Sequence, residues 1–264
     1  MNNDFNKVLM LLYIVIIMKE YTLSKRKKIQ IYPLGDVHIG SKFFNQEWLE
    51  YWIRTFKGSK SEKMIYLQGD LIDLATKRLG NSAYEQVMSV DDQIEMILGY
   101  LKPLKKYIVG SVSGNHEMRT RKEFDLDVSK LIANELECDY NATLYHKILI
   151  NGNEYKIYAQ HGTKTSNQLH LMLGQVMRAT QHIDADLFLY GHCHYCESMS
   201  MPVIDFNGYK RRNFVLTGHF LKYEGSYAEL QGLKPNPCSF PVISIGCNGN
   251  TDVHILNEDE LMIK

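Results

Sequence analysis

Ile29-Gln30-Ile31-Tyr32-Pro33-Leu34-Gly35-Asp36-Val37-His38 is the stretch that decides the fold. Apolar, strand-forming residues run up to Leu34, a glycine follows, and then come a carboxylate and an imidazole two residues apart. The same construction recurs along the chain. Lys63 to Gln68 leads into Gly69-Asp70-Leu71-Ile72-Asp73. Tyr107 to Val112 leads towards Gly114-Asn115-His116-Glu117, Glu154 to Gln160 into His161-Gly162, and Asp186 to Tyr190 into Gly191-His192-Cys193-His194. Each block offers carboxylate, amide oxygen or imidazole, the donors that suit first-row divalent metals. Each stands where a strand-like run ends. Groups at the ends of successive strands converge on one edge of a sheet, where open α/β folds bind their ligands. Seven potential ligands and one spare histidine in that setting predict a two-metal hydrolytic site.

Outward from these blocks, the first half alternates strands with helices. Helical spacing is expected over Trp48 to Phe56, over Asp91 to Tyr100 with Ile94, Ile97, Leu98 and Leu101 on one side, and over Phe124 to Leu136. The second half is a meander. Thr143 to Ile150 and Glu154 to Gln160 flank Asn151-Gly152, and Glu197 to Phe206 and Tyr209 to Thr217 flank Asn207-Gly208, both hairpin signals. A helix over Thr165 to Gln181 and a last pair, Phe240 to Gly246 with Thr251 to Leu256, complete the pattern. Two packed sheets with helices outside are expected.

The order Asp-x-His, Gly-Asp-x-x-Asp, Gly-Asn-His-Glu, a lone His and Gly-His-x-His, from Asp36 to His194, resembles the calcineurin-like metallophosphoesterases. The likeness covers about residues 29 to 218. It implies an α/β fold, a four-layer α/β/β/α sandwich of two mixed sheets. It implies that Asp70 bridges two divalent ions, that Asp36, His38 and His194 serve one, and that Asn115, His161 and His192 serve the other. Two cations roughly 3.5–4 Å apart offset the phosphoester's charge and acidify a bridging water, the hydroxide that attacks phosphorus. The resemblance gives His116 the catalytic role of transition-state stabiliser or proton donor, oriented by Asp73, and leaves Glu117 behind the ligands. Mn is the first choice of metal, with Fe or Zn as alternatives, since no thiolate is assigned. Cys193 and Cys196 are read as passive, and His146, His170, His182 and His254 as structural or solvated. His219, after Leu216-Thr217-Gly218, is a candidate liner of the substrate cleft.

The substrate is less sharply written. Asp36-Val37-His38-Ile39-Gly40-Ser41 is similar to the first block of the repair-nuclease and archaeal polymerase small-subunit branch. Protein Ser/Thr phosphatases carry Arg-Gly where this chain has Leu74-Ala75. Gly225 to Pro237 resembles a tail of small phage and prophage members. Basic clusters at Arg119, Arg121 and Lys122 and at Lys210, Arg211 and Arg212 are candidates for flanking phosphates of DNA or RNA. The expectation is a phosphodiesterase acting on nucleic acid or a nucleotide. A small-molecule phosphomonoesterase and a non-catalytic scaffold of the same fold are the alternatives.

The 264 residues carry 30 basic and 30 acidic side chains, and this zero balance demands no nucleic-acid partner. Five scattered cysteines argue against a disulfide framework and for a cytoplasmic protein. The apolar run from Val8 to Met18 is about half the length a bilayer requires. It lacks a basic flank and a small-residue cleavage site, so no membrane partner is expected. It stays open as an extra packed strand or helix, a translated upstream segment with Met18 as the start, or a segment with a membrane or export role. Residues 1–18 are accordingly set apart from a single domain over 19–264.

Overall fold

The computed structural model describes residues 19–23, 28–75, 86–163, 166, 168–205 and 208–258. The apolar run up to Met18 and Asn207 of the second hairpin turn lie outside the described residues. One sheet contains β2 (Lys28–Leu34), β3 (Glu62–Leu67), β4 (Ile108–Val112), β5 (Asp139–Asn141), β11 (Ser239–Gly246) and β12 (Thr251–Asn257) in the order β12-β11-β2-β3-β4-β5. The other contains β1 (Lys19–Leu23), β6 (Thr143–Ile150), β7 (Asn153–Gln160), β8 (Leu187–Tyr190), β9 (Cys196–Asp205) and β10 (Gly208–Thr217) in the order β1-β6-β7-β8-β10-β9. The helices are α1 (Gln46–Gly58), α2 (Val90–Leu101) with a 3-10 turn over Lys102–Tyr107, α3 (Met118–Phe124), α4 (Val128–Glu135), α5 (Leu169–Ala179) and the short α6 (Tyr227–Leu230).

Period-two alternation builds the layers. On β2, Ile29 and Ile31 face the other sheet, while Tyr32 and Leu34 face the helices. On β3, Met64 and Tyr66 turn inward and Ile65 and Leu67 outward; on β8 the inward pair is Leu187 and Leu189. Between the sheets these residues meet Ile148, Ile157, Val215 and Ile243 in one apolar layer. Trp48, Trp52 and Phe56 of α1 cover the outer face of the first sheet, with Ile97 and Leu101 of α2. Met172, Leu173 and Val176 of α5 cover Phe188 and Phe214 on the second. The result is the expected four-layer sandwich of two mixed sheets.

Three elements differ from the sequence expectation. The helix expected over Phe124 to Leu136 is broken in two. Asp125 takes a left-handed φ of 56°, its N–H caps the carbonyls of Thr120 and Arg121, and Asp127 restarts the chain as N-cap by accepting from Lys130 N. Apolar spacing alone does not register such a stop. β1 and β5, of five and three residues, were not expected as strands. The hairpin at Asn151-Gly152 closes as predicted, with φ of 50° and 84° at its two turn residues.

The topology aims the site. β2, β3 and β4 run parallel, and so do β7, β8 and β10. Asp36, Asp70, Asn115, His161, His192 and His219 follow the ends of these six strands by one to three residues. All of them therefore leave their sheets at the same edge.

Candidate metal centre and active-site cavity

Beyond the strand ends the loops keep pairing. Asp36 N donates to Gly69 O at 3.0 Å, Val37 N to Asp70 O at 2.8 Å and Ile39 N to Leu71 O at 3.1 Å. Two glycines permit the next loop to close on these. A Cβ on Gly69, whose φ is 78°, would stand 2.6 Å from the Gly114 backbone, and one on Gly114 would stand 2.1 Å from Asp70 N. Asp36, His38, Asp70, His192 and His194 all have positive φ, between 49° and 64°. A non-glycine residue seldom adopts this backbone, and Asp and His are among those that do so most readily. Their concentration here marks a backbone shaped around the side chains rather than around packing.

Glu117 holds the second loop in place. Its buried carboxylate accepts from Asp70 N at 3.1 Å, Leu71 N at 2.7 Å and Ile72 N at 3.3 Å. Burial, then the Asp70 charge, pushes its pKa up to about 7, against the three amides that favour the ionised form.

Each aspartate is split between backbone and site. Asp36 Oδ2 accepts from His192 N at 2.8 Å, while Oδ1 is buried with no hydrogen-bond partner, 3.4 Å from His194 Nε2 and 3.9 Å from His38 Nε2. Asp70 Oδ1 accepts from His116 N at 2.8 Å, while Oδ2 lies 3.3 Å from His161 Nε2. His38 Nε2 and His194 Nε2 face each other at 3.2 Å. His161 Nε2 stands 2.9 Å from Asn115 Oδ1 and 3.2 Å from His192 Nδ1. Donors about 2.1 Å from one ion lie roughly 3.0–3.4 Å apart in octahedral or tetrahedral geometry. The spacings here fit that geometry, and the orphaned Asp36 oxygen points the same way. Asp36, His38 and His194 form one donor set; Asp70, His161 and His192, with Asn115, form the second. Asp70 also stands within a third grouping, with His38 and His116, so it lies between the two sets. All seven residues expected as ligands are thus brought to one point.

His161 is oriented from behind, its Nδ1–H donating to Gln68 O at 2.6 Å. Burial opposes its protonation, but the Asp70 carboxylate outweighs this and lifts its pKa to about 10. Burial lowers His38 and His192 below the usual imidazole range, so both are neutral and able to ligate. Asp36 and Asp70 lie below the carboxylate range; burial pushes each up, and the neighbouring imidazoles more than reverse it.

His116 stands apart from the ligand sets in its bonding. Its Nδ1–H donates to the Asp73 main-chain carbonyl at 2.6 Å, with the Asp73 carboxylate 3.4 Å away. Arg119 donates to its Nε2 at 2.9 Å and to Asp73 O at 2.9 Å. Burial and Arg119 push the His116 pKa down, Asp73 and Asp70 push it up, and the net direction is upward. Asp73 also faces His38 Nδ1 at 3.6 Å. The pairing of His116 with Asp73 is as expected, though the main-chain oxygen of Asp73 makes the shorter bond.

A cavity of about 430 Å³ opens from this centre, within the range of small-ligand sites. His38, His116 and His194 line it together with Phe43, Lys222, Tyr223 and Lys234. His219 lines it, as the sequence suggested, stacked on His194 at 5.2 Å and 19°. Burial drives its pKa down to about 3, which keeps it neutral. Of the first basic cluster only Arg119 lines the cavity; Arg121 pairs with Asp127. The second cluster is not at the site. Lys210 pairs with Asp184 and Asp186, and Arg212 donates to Gln181 O, at the far end of β10. Arg212 lies five strand residues, roughly 16 Å, before the end of β10 at Thr217. Lys222 stands outside every block singled out in the sequence, and Lys234 and Asn236 lie in the Gly225 to Pro237 tail, to which no site role was given.

No family model matches the sequence, and no curated protein does. Among solved structures, a predicted phosphoesterase from Streptococcus pneumoniae is 17% identical with a TM-score of 0.42, over 88% of this chain and 91% of that one. Vacuolar protein sorting 29 from Cryptosporidium parvum is 16% identical with a TM-score of 0.45, over 87% and 97%. The NAD nucleotidase of Haemophilus influenzae is 9% identical with a TM-score of 0.46, over 86% of this chain and 49% of that one. At these values the likenesses add no weight to a functional reading, which rests on the donor geometry. Among the described residues no helix is long and apolar enough to cross a membrane.

Proposed function

We infer that the protein is a metal-dependent phosphoester hydrolase, a phosphodiesterase acting on nucleic acid or a nucleotide with two divalent ions, Mn first. The observation that carries this reading is the convergence of seven donors from five strand ends into two sets about Asp70. Bound there, divalent ions would offset phosphoryl charge and make an attacking water more acidic.

The chain's own groups divide the remaining work. Arg119 and His116 face the cavity from the same short helix and the turn before it. The guanidinium suits the non-bridging phosphoryl oxygens, which it can bind through two parallel N–H donors. His116, held at Nδ1 by Asp73 and shifted towards its protonated form, presents Nε2 to the leaving oxygen. Water adds to phosphorus and loses one proton to solvent, the P–O ester bond breaks, the proton on Nε2 passes to the departing alkoxide, and Nε2 regains a proton from solvent. A neutral Nε2 accepts from Arg119, so substrate binding that draws Arg119 away frees the nitrogen for its proton.

The test is metal content and turnover. The Mn-loaded protein is expected to hold two ions per chain and to hydrolyse bis-p-nitrophenyl phosphate faster than p-nitrophenyl phosphate. Single-stranded DNA is the third substrate. One ion or none at saturation, or no Mn-dependent turnover of any of the three, would remove the reading.

A further inference from the structure

We propose that Lys222 and Lys234 form a second anion subsite in the cavity, selecting a nucleotide that carries another phosphate besides the one cleaved. This deepens the hydrolase reading and rests on it for the identity of the first phosphate. The two lysines sit at the two ends of a closed loop. Phe44 and Leu221 form a bridge, and Lys222 N donates to Phe43 O at 2.8 Å, which fixes the loop's start beside the first metal block. Asn236 Nδ2 donates to the His194 carbonyl and fixes its end beside the last block. Between them, Tyr223 Oη donates to Leu233 O at 2.7 Å and Leu233 N to Ala228 O at 2.9 Å. A compact loop with tied ends is a frequent carrier of specificity.

The Tyr223–Leu233 clamp joins the residue after Lys222 to the residue before Lys234, so it ties together the two loop ends that carry the lysines. Both line the cavity, both are exposed, and neither pairs with a carboxylate among the described residues. Among the described residues Asp73 is the one carboxylate in the lining, and it is taken up by His116 and His38. Two cations in the lining of one cavity repel each other, and an anion bound between them relieves that repulsion. The protein as a whole is neutral, so this local excess of positive charge is not a side effect of composition. Phe43, Tyr195 and Tyr223 lie in the same lining and make that part of it aromatic, a surface suited to a nucleotide base. A second phosphate on the lysines, a base on the aromatic wall and the scissile phosphate at the donor sets together describe a phosphodiester-linked nucleotide that carries a further terminal phosphate, for which a nucleoside bisphosphate is a binding probe.

Calorimetric titration of thymidine 3′,5′-bisphosphate against thymidine 5′-monophosphate tests this, with Mn and again in EDTA, where metal-dependent turnover is absent. The wild-type protein is expected to bind the bisphosphate about tenfold tighter or more, the value of one or two charge-assisted bonds. The double substitution Lys222→Ala with Lys234→Ala should bring that ratio close to one, and Lys222→Arg with Lys234→Arg should retain it. A 5′-phosphorylated decathymidylate that binds tighter than the bisphosphate assigns the subsite to a strand end; equal or weaker binding assigns it to a short, nucleotide-sized ester. A wild-type ratio near one, or a ratio unchanged in the alanine variant, would overturn the proposal. Failure of Mn-dependent hydrolysis would instead overturn the enzyme reading and leave these binding ratios meaningful.

Discussion

At the scale of single residues, the site separates groups that bind from groups that move a proton. His116 has both ring nitrogens occupied by Asp73 and Arg119, so His116→Ala is expected to keep both metals and lose about 10²- to 10⁴-fold in rate. The loss should be smaller for a p-nitrophenyl ester than for a nucleoside ester, because an acidic leaving group needs less protonation. Equal losses on both would mean that His116 stabilises phosphoryl oxygens instead. Glu117 never reaches the cavity lining, yet its carboxylate fixes three consecutive amides beginning at Asp70. Glu117→Gln should therefore lower metal affinity about 10- to 100-fold, the usual cost of disturbing a ligand's support; unchanged affinity in a chelator competition would refute this. His161 supplies the pH dependence. Asp70 raises its pKa to about 10, so at neutral pH the metal-free site holds a proton on Nε2 that an ion must displace. Metal affinity at that set should rise about tenfold per pH unit between roughly pH 7 and 10, with one proton released on binding. A pH-stat titration with no proton release would exclude it. The sign carries over to stability. In the metal-free protein this group's contribution is complete below about pH 6.5 and lost as pH rises through about 10.

At the scale of elements, caps and turns decide what apolar spacing leaves undefined. Asp127 is N-cap of α4, accepting from Lys130 N at 3.0 Å and from Tyr140 Oη at 2.8 Å. It thereby ties α4 to β5, the three-residue edge strand. Asp127→Ala is expected to cost about 1–2 kcal/mol of stability and to leave metal binding unchanged, since α4 carries no donor; denaturant unfolding and metal content measure the two effects. The same region shows what the sequence made legible. Long runs with a clear period, such as Thr143 to Ile150 or Asp91 to Tyr100, read directly, because burial on one face dictates the spacing. So did the seven donors, because each sits against a glycine-bounded strand end. The break at Asp125 was not legible, because Phe124, Leu126 and Leu131 continue an apolar spacing across it although all three are exposed. The subsite lysines were not legible either. They lie twelve residues apart, brought together by a tyrosine hydroxyl and a carbonyl that no pattern marks.

At the scale of the whole molecule, the two sheets bring their strand ends to one edge, and the apolar layer between them fixes the distance between the metal sets. The donors of the first set come from β2 and the loop after β8, and those of the second from β3, β4, β7 and β8. Each set therefore spans both sheets, and anything that loosens the sheet packing should act on both ions together. β1 is the element that tests this from a distance. It pairs in parallel with β6 over five positions, Glu20 meets Lys147 at 2.7 Å, and Tyr21 Oη reaches Val109 O of the opposite sheet at 3.4 Å. The first ligand, Asp36, comes more than a dozen residues later, so β1 contributes packing and no chemistry. A chain beginning at Met18 keeps β1 and is expected to fold, load two ions and turn over substrate as the full chain does. A chain beginning at Lys28 removes β1 and exposes the edge of β6. Five lost cross-strand pairs correspond to about 2 kcal/mol or more, a fall in Tm of roughly 4–8 °C. At a temperature well below that Tm, its metal content and kcat should remain near those of the longer chain. Equal Tm values for the two chains would show that β1 does not close the sheet. Loss of both ions from the shorter chain at low temperature would show that the strand sets the spacing of the sheets and, through it, the geometry of the metal centre.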